Sequence, residues 1–109
     1  MRKAIVLKTK DDLDLALQSL VSWKDQASKK VYSVKHDCYF CWKKPYCIGC
    51  PVRDRTADYD ARDVCCCSEL QDWEDAKSIK EKQEKAQVIV NILKQSIQDF
   101  LETKNENTN

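Results

Sequence analysis

Apolar residues recur with two different periods in the first third of the chain, and these periods predict its helices and strands. A helix at about 11–27 is predicted from six apolar side chains that share one face at helical spacing: Leu13, Ala16, Leu17, Leu20, Trp23 and Ala27. Thr9 or Asp11 is the expected N-cap. Ala4–Leu7 and Lys30–Lys35 have the β-branched or alternating residues of short strands. We therefore expect a strand–helix–strand unit over 1–35.

A second helical stretch is predicted over 68–103, because no Gly or Pro occurs between Glu69 and Thr103. Its apolar stripe consists of Ile79, Ala86, Ile89, Val90, Leu93, Ile97 and Phe100. The alternating charges of 80–85 predict a solvated face. We expect the stripe to pack within the chain, with a helix-mediated homodimer as the alternative.

The start of this stretch differs from the rest. Ser68 and Gln71 form a capping-box pattern, which predicts a helix start. Leu70 and Trp73 fall off the apolar stripe when 3.6 residues are counted per turn. This predicts either a break near 75–79 or first turns that face a different partner.

Composition restricts the fold and the compartment. The chain has 109 residues and a single Gly, which fits one mainly helical α+β domain over 1–104 followed by a flexible tail at 105–109. No apolar run approaches the roughly 20 residues of a membrane helix. Ala4–Leu7 is also too short for a signal-peptide core, so we expect a cytoplasmic protein.

The cysteines are the main chemical feature of the sequence. All seven fall between 38 and 67, at Cys38, Cys41, Cys47, Cys50, Cys65, Cys66 and Cys67. An odd count in a reducing compartment argues against a closed set of disulfides. Two Cys-x2-Cys pairs can complete the tetrahedral thiolate shell that zinc prefers. We therefore expect a metal-bound centre over 36–67, with zinc as the metal.

The ligand set stays open at this point. The five residues between the two pairs form a short connection for one zinc ion, so the 65–67 triplet could supply ligands instead, and two zinc ions are an alternative. His36 is a spare nitrogen ligand. Cys50-Pro51 is also found at the end of ferredoxin motifs, although the preceding spacing differs, and an iron–sulfur cluster is the competing cofactor.

The cysteine pattern resembles that of small phage- or virus-encoded proteins. The resemblance covers about 36–73 and rests on Cys-x2-Cys, Cys-x2-Cys-Pro, a cysteine doublet and Trp73. It implies a viral regulator or inhibitor of a host factor. No functional residue carries over from it.

Charge is segregated around the cysteines. Residues 24–55 contain eight Lys/Arg and three Asp/Glu, a net of +5, whereas 56–76 contain one Arg and seven Asp/Glu, a net of −6. The basic part offers cations and aromatic rings suited to single-stranded nucleic acid: Lys43, Lys44, Trp42, Tyr46, Arg53 and Arg55. The acidic part can cancel this field, so a protein partner is expected first and a zinc-knuckle-like nucleic-acid-binding role second.

Catalysis is not expected from this sequence. His36 is the single histidine, and Gly49 stands alone, without a phosphate-binding loop around it. Four-thiolate zinc sites are closed and structural, whereas catalytic zinc keeps an open position. The expected function is therefore non-enzymatic binding of a partner protein.

Overall fold

The computed structural model describes residues 3–30 and 68–107, with side chains as far as residue 103. The described residues form three helices, α1 (Lys10–Ser28), α2 (Ser68–Asp75) and α3 (Ile79–Asn107). The predicted helix at 11–27 and the predicted break near 75–79 are both confirmed. The metal-bound centre and the single-domain boundary at 104 stay predictions.

The expected α+β class is wrong for the described residues, which contain no strand. Ala4–Leu7 has no regular secondary structure, with Ile5 and Leu7 buried and Val6 72% exposed. Instead of pairing with a strand, the Ile5 N–H donates to Ser96 Oγ of α3 at 2.8 Å. The β-branched residues correctly indicated a segment with buried side chains, but the segment packs against a helix and not against a strand. Of the second predicted strand, residues 31–35 lie outside the described residues, and Lys30 has no regular secondary structure.

The two long helices, α1 and α3, have the same type of N-terminal cap. Thr9 Oγ1 accepts from the Asp12 N–H, and Asp12 Oδ2 accepts from the Lys8 N–H. In α3, Ser78 Oγ accepts from the Glu81 N–H, and Glu81 Oε2 accepts from the Lys77 N–H. In both cases a side-chain pair satisfies backbone donors that the helix itself leaves unpaired.

The core lies between α1 and α3, which run antiparallel. At one end Gln83 Nε2 donates to Lys29 O at 2.7 Å, and at the other Lys10 lines a groove with Phe100 and Thr103. The buried apolar residues come from all three helices and from the N-terminal segment before α1: Ile5, Leu7, Leu15, Ala16, Trp23, Leu70, Trp73, Ala86, Val90, Ile92 and Leu93. The α3 stripe thus packs mainly within the chain, as expected.

One residue of the predicted α1 face is misplaced. Leu17 is exposed, and Leu15 is buried in its place. The buried face also carries polar side chains, Asp12, Ser19 and Gln26. The α1 face predicted from apolar residues alone therefore differs in direction from the face that is buried in the core.

Candidate functional site

Every residue predicted to bind metal or nucleic acid lies in the segment 31–67, outside the described residues. These are Cys38, Cys41, Cys47, Cys50, Cys65, Cys66, Cys67, Lys43, Lys44, Trp42, Tyr46, Arg53 and Arg55. Within 3–30 and 68–107, no group of three His, Cys, Asp or Glu side chains is placed to hold a metal ion. The structure does describe the two helices that flank this cysteine-bearing segment.

The flanking helices touch through two tryptophans. The rings of Trp23 in α1 and Trp73 in α2 meet edge to face, with centroids 5.3 Å apart and planes at 85°. Both side chains are buried. Edge-to-face aromatic pairs add about 0.5–1.5 kcal/mol beyond the burial of their surface. The segment 31–67 therefore connects two helices whose mutual contact is fixed by the core.

Lys82 of α3 holds the end of α2 in place. Its side chain is only 4% exposed, and Nζ donates to Trp73 O at 2.9 Å and to Glu74 O at 3.3 Å. These carbonyls belong to the last turn of α2, where a helix lacks internal donors and carries partial negative charge. Nζ also lies 4.2 Å from the centroid of the Trp73 ring. One ammonium group thus joins the end of α2, its tryptophan and α3.

Burial has an electrostatic cost for this ammonium. Removal from water lowers the pKa of Lys82 from its ordinary value of 10.5, and the nearby Lys77 lowers it further. The carboxylates of Glu74 and Asp75 oppose this shift. Lys82 is thus a desolvated cation with partners, which suits a structural clamp.

The sequence expectation of a solvated face at 80–85 is wrong for Lys82. The lysine occupies a stripe position between Ile79 and Ala86, at the spacing of core residues. The alternating charges of 80–85 drew attention away from the core spacing of Lys82. A lysine on an apolar stripe four residues before a buried alanine was the available signal that its ammonium meets a buried acceptor.

Among the described residues, grooves lie beside α1 and α3. One, of about 550 Å³, lies between the N-terminal segment and the stretch of α3 from Ser96 to Thr103. The other, of about 320 Å³, lies between α1 and α3 and is lined mainly by apolar side chains, including Leu17, Leu20 and Leu101. Charged side chains line both grooves, Lys8, Lys10 and Asp99 in the first and Lys94 and Glu102 in the second.

Comparisons with protein-family models, with curated proteins and with solved structures found no match to this chain. Among the described residues, no helix is both long enough and apolar enough to cross a membrane.

Proposed function

We propose that this chain is a non-enzymatic, cytoplasmic zinc-binding protein that acts by binding a partner protein. The observation that carries the proposal is the paired spacing Cys38-x2-Cys41 and Cys47-x2-Cys50, followed by three further cysteines. Two such pairs suit the four-thiolate shell of structural zinc. A shell of this kind leaves no open position for substrate.

The contact between the flanking helices supports metal binding. Because Trp23 and Trp73 are held together, the segment 31–67 joins two fixed ends. Fixing both ends of a chain removes part of the entropy that would otherwise be lost when distant cysteines converge on one ion. Zinc binding then contributes on the order of 10 kcal/mol once its ligands are assembled.

The resemblance to virus-encoded cysteine-cluster proteins supports a regulator or inhibitor of a host factor. The opposite net charges of 24–55 and 56–76 offer a partner protein two chain segments of different sign.

Metal analysis of the purified protein tests the first half of the proposal. We expect at least one zinc per chain and no absorption band near 400 nm, a region in which an iron–sulfur cluster absorbs. Each cysteine is then replaced by Ser in turn. A ligand variant loses zinc and thermal stability because the shell lacks a thiolate, while a non-ligand cysteine serves as the matched control. A Cys38→Ser/Cys41→Ser double variant with full zinc content would contradict the proposed site.

Nucleic-acid binding is the second candidate function, favoured by the lysines and aromatic rings of 24–55. Binding through Lys43 and Lys44 should weaken steeply with salt. Trp42→Ala should cost about 1–3 kcal/mol of binding if a base stacks there.

A charge-matched control separates this candidate from the first. Lys43→Ala/Lys44→Ala is compared with Lys77→Ala/Lys80→Ala, which removes two exposed lysines from the helical part. Equal binding losses would indicate a general charge effect. No binding of single- or double-stranded DNA or RNA at low salt would leave the protein partner.

A further inference from the structure

Two neighbouring residues of α3, Lys82 and Gln83, bind the C-terminal ends of the other two helices. Lys82 Nζ donates to Trp73 O at 2.9 Å and to Glu74 O at 3.3 Å, at the end of α2. Gln83 Nε2 donates to Lys29 O at 2.7 Å, and Lys29 is the C-cap of α1. Helix C-termini are where carbonyl groups lack donors from their own helix. One turn of α3 therefore supplies such donors to both helices.

Helical geometry explains how adjacent side chains reach two different helices. Neighbouring residues of an α-helix point about 100° apart, since one turn takes 3.6 residues. Lys82 is buried and points toward the Trp73 ring, whereas Gln83 is half-buried and points toward the end of α1. The first turns of α3 therefore hold α1 and α2 in a fixed relation.

Both contacts lie close to where the cysteine-bearing segment begins and ends. Lys29 lies two residues before 31, and α2 starts at Ser68, directly after 67. Because α2 has eight residues and is only about 12 Å long, holding its last turn also holds its first residue. The segment 31–67 thus starts and ends at points that α3 fixes, through Gln83 at the start and through Lys82 at the end.

We propose that Gln83 is a positioning residue for zinc binding by the segment 31–67. This inference rests on the proposed function, in which the cysteines of that segment bind zinc. A chain whose ends are already held loses less entropy when its ligands are brought together. Preorganisation of this kind raises affinity without adding a contact to the ligand. Gln83 is not a ligand itself and acts through the Lys29 carbonyl.

Thermodynamic linkage makes this coupling reciprocal. If the Gln83–Lys29 contact strengthens zinc binding, zinc must strengthen that contact by the same factor. The Lys29 N–H donates to Gln26 O at 3.3 Å, so its hydrogen exchange reports on this end of α1. A contact that only stabilised the helical base would alter this exchange equally with and without zinc.

Competition with a chromophoric zinc chelator measures the zinc affinity of the full chain under reducing conditions. Gln83→Ala should weaken zinc binding about two- to tenfold, because the free energy of one hydrogen bond sets the size of the effect. Gln87→Ala is the matched control and should keep the wild-type affinity. Gln87 lies one turn further along α3, and its Nε2 donates to Asn91 Oδ1 of the same helix. Circular dichroism checks that both variants fold.

Hydrogen exchange with and without zinc separates positioning from stability. Zinc should slow exchange of the Lys29 N–H in the wild type and in Gln87→Ala, and by a smaller factor in Gln83→Ala. Equal zinc affinities of Gln83→Ala and Gln87→Ala, or an equal effect of zinc on Lys29 exchange in the two variants, would overturn this inference alone. A wild-type chain that holds no zinc would overturn the proposed function as well.

Discussion

Two buried serines show how differently one residue type can act in this core. Ser96 Oγ accepts from the Ile5 N–H and donates to Ile92 O at 2.6 Å, so it anchors the N-terminal segment. Ser19 is equally buried, yet its Oγ has no hydrogen-bond partner among the described residues. A buried hydroxyl stabilises a fold only when it is paired.

The two serines should therefore respond to alanine in opposite directions. Ser96→Ala is expected to cost about 1–2 kcal/mol, because it leaves the buried Ile5 N–H unpaired, while Ser19→Ala is neutral or stabilising. Urea denaturation gives the free energies, and hydrogen exchange should show faster exchange at Ile5 in Ser96→Ala. Ser28→Ala is the control for a hydroxyl that bonds only its own helix. Equal losses at Ser19 and Ser96 would contradict this assignment.

Lys82 gives a prediction whose size depends on pH. Because burial lowers its pKa below 10.5, the unfolded chain binds more protons than the folded chain between the lowered pKa and 10.5. Stability contributed by this group therefore rises with pH across that window. Lys82→Met should cost about 1 kcal/mol at neutral pH through lost hydrogen bonds. The difference from wild type should grow as pH approaches 10.5.

Urea denaturation from pH 7 upward measures this difference. Lys80→Met, at an exposed position of the same helix, is the control and should show no such trend. A difference that shrinks with rising pH would mean that the carbonyls and the Trp73 ring stabilise the cation more than burial penalises it.

At the scale of elements, local sequence signals predicted where helices begin and end better than they predicted which elements pack together. The N-cap at Thr9, the helix start at Ser68 and the break before Ile79 depend on residues close in sequence. Ala4–Leu7 was predicted to be a strand from its Ile and Val, which indicate a buried segment but not what buries it. Its Ile5 N–H is bound by Ser96 of α3, about ninety residues further along. Local propensity carries no information about such a contact.

The helix caps allow an element-scale prediction. Thr9→Ala and Ser78→Ala should each cost about 1 kcal/mol, because each removes an acceptor for a backbone N–H in the first turn. Thr9→Ser keeps the hydroxyl and is the matched control. Thermal denaturation measures the loss, and hydrogen exchange should place it at Asp12 or Glu81. A uniform loss of protection along the helix would argue against a capping role.

At the scale of the whole molecule, sequence and structure describe complementary parts. Burial and side-chain contacts define the helical base, which α1, α2 and α3 form. The proposed metal chemistry belongs to 31–67 and rests on cysteine spacing alone. The Trp23–Trp73 contact could not be predicted from the sequence. The two tryptophans lie on either side of the cysteine-bearing segment, and no sequence pattern links one to the other. Their contact is the point at which metal binding and helix packing are expected to be coupled.

Metal removal should therefore loosen α2 before the rest of the fold. An eight-residue helix is marginal by itself, since isolated helices shorter than about 12–15 residues are barely stable in water. Its position depends on Trp73, on Lys82 and, under the proposed function, on a metal-bound segment that ends at its first residue. Chelation of zinc should lower the thermal midpoint and increase hydrogen exchange across 68–75 more than across the middle of α3.

Tryptophan fluorescence provides a second measurement of the same coupling. In a Trp42→Phe variant the remaining tryptophans are Trp23 and Trp73, so a red shift on chelation would report water reaching their contact. Zinc added back should reverse the shift, because the helical base retains the buried stripe of α3 and can receive α2 again. Cys38→Ser should show the shifted spectrum without chelation. An unchanged spectrum and unchanged exchange in α2 after complete loss of zinc would mean that the helical base holds α2 independently of the metal.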